Sequence, residues 1–109
     1  MDTSDQAALE RRFGKAMQDV YVRAKKEAGY TASYYLQMLH ELGALGAARR
    51  LLASAKVSDG FTALWERGRL DLTVENTMLH PEFSELFTDE ELETARQRLA
   101  DYGFTPLGS

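Results

Sequence analysis

Leu9, Phe13, Met17, Val20, Tyr21, Ala24 and Ala28 stand at offsets 0, 4, 8, 11, 12, 15 and 19 from the first of them. That spacing marks one face of a helix with 3.6 residues per turn, running over roughly residues 5 to 28. A helix this long must lay its stripe against other elements. Nowhere does the chain show the strict apolar-polar alternation of a half-buried strand. The pattern therefore predicts an all-α fold with no β-sheet, and the remaining segments are to be read as packing partners of this first helix. Gly29 supplies its left-handed stop.

Helix punctuation divides the rest. Thr31 is placed to cap a second helix over 32 to 42, in which Tyr34, Tyr35, Leu36, Met38, Leu39 and Leu42 leave only a thin polar stripe. Gly43 ends it, and a third helix follows over 45 to 55 with Leu45, Ala48, Leu51 and Leu52 inward. Ser58 caps a short helix carrying Phe61, Leu64 and Trp65, which Gly68 terminates. Leu70 and Leu72 then alternate with Arg69 and Asp71, predicting an extended link whose leucines anchor it to the core. Thr73 caps the next turn, and Asp71 is placed to assist it at the free N–H groups. Pro81 suits the first position of another short turn, "PEFSELF". The last helix has both ends specified: Thr88 and Glu91 form a capping box, and Gly103 with Phe104 makes a Schellman stop on Leu99.

The expectation is one domain over 1 to 109, with 5 to 104 as its ordered core, frayed termini, and a compact bundle of five to seven helices, two of them long. Its core should hold Phe13, Met17, Leu36, Leu39, Leu51, Leu52, Phe61, Leu64, Trp65, Leu92 and Leu99. A chain of 109 residues with 44% apolar content can bury such a core without metal or disulfide staples. No cysteine is present, which removes disulfides, thiolate metal sites and thiol nucleophiles and suits a reducing, cytoplasmic setting. No apolar run reaches the ~18 residues of a membrane span, and the polar, acidic start is unlike a secretory signal.

Chemistry-bearing patterns are sparse. His40 and His80 belong to no metal motif, because the His40-Glu41 pair lacks a second histidine four residues after the first. Phosphate-cradling glycine loops and nucleophile elbows are missing. An enzyme using His80 with neighbouring carboxylates has no support from spacing, and no catalytic residue, metal or cofactor is expected.

Charge is more informative. Residues 1 to 56 carry nine Lys/Arg and six Asp/Glu, whereas residues 57 to 109 carry four and eleven. This two-signed layout suits docking to another protein. The first surface to consider is Arg67, Arg69, Asp71 and Glu75 around Gly68. The leading expectation is thus a non-catalytic interaction or accessory module. The alternative is nucleic-acid binding by the basic half, which requires Arg11, Arg12, Arg49 and Arg50 to share a face free of carboxylates. The segment "ALGAARRLLASA" offers two arginines but no Asn, Gln, Ser or Thr near its start to read bases.

Residues 30 to 104 also resemble a family of small bacterial domains of unknown function. The shared pattern is carried here by Leu36, Gln37 and Met38, by Leu51 and Leu52, and by "GFTALWERGRLDLTVE" from Gly60 to Glu75. It continues through "LFTDEE" and the later Ala95 and Arg98-Leu99. The chain departs from that pattern where Gly43 and Gly46 stand apart instead of side by side. The resemblance implies an all-helical bacterial domain and no particular activity.

Overall fold

The computed structural model describes residues 3 to 106, with side chains from Asp5 onward. Five α-helices and two single-turn 3-10 helices follow one another: α1 (Thr3–Ala28), α2 (Ser33–Ala53), α3 (Asp59–Glu66), a 3-10 turn (Leu70–Leu72), α4 (Val74–Leu79), a second 3-10 turn (Ser84–Leu86) and α5 (Asp89–Asp101). No strand occurs among the described residues. The fold is an all-α single-domain bundle with a radius of gyration of 13.1 Å.

The stripe of α1 does what its spacing demands. Leu9, Phe13, Met17 and Ala24 are buried, facing the rest of the bundle. Phe13 is fully enclosed and meets Phe83 and Phe87 edge-on, with ring centroids 5.4 and 5.3 Å away. The same core cluster holds Met78, Ala95 and Leu99 from α4 and α5 and Ala47 and Ala48 from α2. A smaller cluster of Ala24, Leu64 and Leu72 closes the other end of α1.

The two helices expected on either side of Gly43 are the two arms of α2. Gly43 sits at φ 74° and ψ 173°, and the axis breaks there. This is a region of backbone space essentially confined to glycine. A Cβ built on Gly43 meets no atom within 4 Å, so the constraint is in the backbone alone. Gly43→Ala should accordingly cost about 1–3 kcal/mol, read as a shift of the urea midpoint with unchanged slope. An unchanged midpoint would mean that the break tolerates an ordinary residue.

Caps fall largely where expected. Ser58 Oγ accepts from Phe61 N at 3.1 Å, and Thr88 and Glu91 exchange both bonds of a capping box at 3.1 and 2.9 Å. Phe104 N donates to Leu99 O at 2.9 Å and Gly103 N to Ala100 O at 3.0 Å, completing the Schellman stop. Thr31 does not cap α2: Ala32 takes the N-cap position, with no side-chain bond.

Other expectations need correction. The Leu70–Leu72 link is a 3-10 turn, closed by Leu72 N on Arg69 O at 3.0 Å and Thr73 N on Leu70 O at 3.2 Å. This turn still buries both leucines. Leu36, Leu51 and Leu52 are only half-buried. Trp65 is 46% exposed. In the short α3, Phe61 and Leu64 take the inward face, and Trp65, about 100° round from Leu64, is left on the flank.

Candidate functional site

The Arg67 to Glu75 stretch divides once folded. Gly68, at φ 70°, releases the chain from α3, with Arg69 N donating to Leu64 O at 2.8 Å. Arg69 then grips Asp71 with two bonds of 3.0 and 3.1 Å and reaches Glu27 of α1 at 2.8 Å. Glu27 also accepts from Arg23 at 2.8 Å. Hydrogen bonds from Arg23 and Arg69 hold the Glu27 carboxyl down at about 2. Asp71 is likewise lowered, chiefly by its bond from Arg69. Arg67 donates to Ala28 O at 2.8 Å and lies over the Tyr30 ring at 5.5 Å. The result is a latch tying the joint after α3 to the C-terminal end of α1.

Asp71 therefore does not assist the cap of α4, as its position suggested. Thr73 Oγ1 alone accepts from Asn76 N at 3.2 Å, and Asn76 turns its amide back onto Asp71 O at 3.1 Å. Arg69 has competed successfully for the Asp71 carboxylate. Glu75, expected at the same surface, is only 3% exposed.

Glu75 faces Arg98 of α5, with Arg98 Nη1 3.5 Å from Glu75 Oε2. Burial raises the Glu75 pKa, while its own backbone N–H and Arg98 act to lower it. Arg98 also donates to Leu51 O at 3.0 Å, Leu52 O at 3.2 Å and Ser54 O. These are carbonyls left open at the end of α2, where a cation is favourable. The role of Arg98 escaped the sequence reading, because its partners lie 23 to 47 residues away.

The four arginines of the nucleic-acid reading do not form a carboxylate-free face. Arg12 pairs with Glu82 at 3.2 Å. Arg49 pairs with Glu91 at 2.9 Å and also bonds Leu86 O. Arg11 borders a shallow groove with Lys15 and His40, whereas Arg50 borders a different cavity. His80 accepts from Glu82 N through Nδ1 at 3.2 Å, and its ring lies tilted against that of Phe83, with centroids 5.8 Å apart. Among the described residues, no three His, Asp or Glu side chains gather to hold a metal ion.

Val22, Tyr34, Leu42 and Trp65 are the exposed large hydrophobic side chains among the described residues, and two features stand out. One is Trp65, whose ring sits edge-on to Tyr102 at 5.3 Å, with Tyr102 in turn edge-on to Phe61 at 5.0 Å. The other is a cavity of about 430 Å³ bounded by α1, α2, the 54–58 loop, α3 and the start of α4. No protein-family model matches the chain, and no curated protein or solved structure matches it either. The roles of Trp65 and the cavity therefore rest on their geometry.

No helix among the described residues is long and apolar enough to cross a membrane.

Proposed function

We propose that this chain is a non-catalytic protein-interaction module, acting in a reducing cytosol, whose docking surface is centred on Trp65. The observation that carries the reading is the setting of that residue. Trp65 is the only tryptophan in the chain and is half-exposed, yet it is held by the Tyr102–Phe61 aromatic chain at the α3–α5 junction. A large aromatic ring already fixed in place loses little freedom on docking, which is why tryptophan so often dominates an interface. The Arg67–Arg69–Asp71 latch, first considered as the surface itself, would instead hold α3 in register for Trp65.

Wild-type chain immobilised in a lysate of its host should retain a specific protein that Trp65→Ala does not retain at equal loading. With the purified partner, Trp65 emission should move to the blue as the ring leaves water. The substitution should weaken binding by 2 kcal/mol or more, about thirtyfold. It should lower stability by only about 1 kcal/mol, the order of one aromatic pair. Equal retention by both chains would overturn the proposal, as would small-substrate turnover without any retained protein.

A further inference from the structure

We infer that the cavity between α1, α2 and α3 is a binding site for a small amphipathic carboxylate, its alkyl or aryl chain against Ala24, Met38 and Leu64 and its acid on Arg50. The volume of about 430 Å³ lies within the roughly 300–1,000 Å³ typical of small-molecule sites. Its walls join apolar side chains from α1, α2, α3 and the Leu70–Leu72 turn, so the chamber favours an apolar body.

The sign of the ligand follows from the charges that border the chamber. Glu75 forms part of the wall, but its carboxylate is engaged by Arg98. Asp59 stands in the first turn of α3, where the helix dipole offsets part of its charge. Arg50 is different. Arg12, Arg23, Arg49, Arg67, Arg69, Arg96 and Arg98 all donate to a carboxylate or carbonyl, whereas Arg11 and Arg50 make no hydrogen bond or ion pair among the described residues, and of these two only Arg50 borders this chamber. It is the cation of the site without a partner, and an anion is its complement. Tyr34, also lining the chamber, is 71% exposed, while its neighbour Tyr35 has its hydroxyl donating to Met17 O at 2.6 Å.

The probe is decanoate, with decanol and decyltrimethylammonium as neutral and cationic comparators, each below its micelle threshold. Calorimetry should show saturable one-site binding of decanoate. Methyl NMR should place it on Ala24, Met38 and Leu64. Arg50→Gln should weaken decanoate roughly tenfold, the scale of a charge-assisted hydrogen bond, and leave decanol unchanged. Asp59→Asn should tighten decanoate by removing the opposing charge. Val57→Trp, at a half-buried wall position, should block decanoate and decanol together while circular dichroism confirms the fold. Trp65 does not line the chamber, so Trp65→Ala should bind decanoate normally, which separates this site from the proposed protein interface. Absence of saturable binding would overturn the assignment, as would equal affinities for the three probes or an Arg50→Gln chain that binds decanoate like wild type.

Discussion

Replacing Arg98 with Met should lower the unfolding free energy by about 3–5 kcal/mol, the scale for removing one member of a buried ion pair. The Arg98 side chain is only 12% exposed and joins three separate elements. From α5 it reaches Glu75 of α4 and the carbonyls of Leu51, Leu52 and Ser54 at the end of α2. Met fills much of the same space but donates nothing. The buried carboxylate would lose its counter-ion, and the α2 carbonyls would lose donors that water cannot readily replace. For a domain stabilised by about 5–15 kcal/mol, that is a large share of the total.

The loss should depend on pH in a definite direction. Burial raises the Glu75 pKa above its ordinary value. A raised carboxyl favours folding fully below the unfolded pKa and progressively less as pH rises through the folded one. Removal of Arg98 takes away an influence that lowers the Glu75 pKa, so the folded value should climb further. Arg98→Met should therefore be nearest to wild type in mild acid and furthest from it at neutral pH. Urea titrations at both ends of that range measure the difference. Glu75→Gln in the Arg98→Met background should recover part of the neutral-pH loss. If the deficit is the same at every pH, the penalty comes from the α2 carbonyls and not from the stranded acid.

What was legible in the sequence was what adjacent residues decide. The α1 stripe, the break at Gly43, the Ser58 cap and the Thr88–Glu91 box each involve residues within a few positions, and each appears in the structure. Competition between distant groups was not legible. Asp71 has the right chemistry and position to help cap α4, but the Arg69 guanidinium, anchored on Glu27, takes its carboxylate. Trp65 shares a helical face with Phe61 by spacing alone. Yet α3 has only eight residues, and Tyr102 at the end of α5 covers only part of the indole, which is left 46% exposed. The α1–α2–α3 cavity draws its wall from four separated stretches of chain and has no local signature at all.

The same distinction explains where the other large loss should occur. Phe13→Ala should cost about 3–5 kcal/mol, the range for truncating a buried aromatic residue. Phe13 is fully enclosed, and two of its contacts are the edge-on rings of Phe83 and Phe87. Those rings flank the Ser84–Leu86 turn, which is held by i→i+3 bonds of 3.0 Å from Leu86 N to Phe83 O and 3.1 Å from Phe87 N to Ser84 O. A single 3-10 turn has little stability of its own. Its order comes from being clamped onto α1, with Arg12–Glu82 as a weaker surface tie beside the aromatic contact. The cavity left by Ala should therefore loosen this segment before the rest of the bundle. Hydrogen exchange should accelerate first at Leu86 and Phe87, while the amides of α5 stay protected until global unfolding. Phe13→Leu keeps most of the volume and should lose much less, about 1–2 kcal/mol. Uniform acceleration across all helices would show instead that the 81–87 segment unfolds only with the whole domain, and that Phe13 supports a single cooperative core.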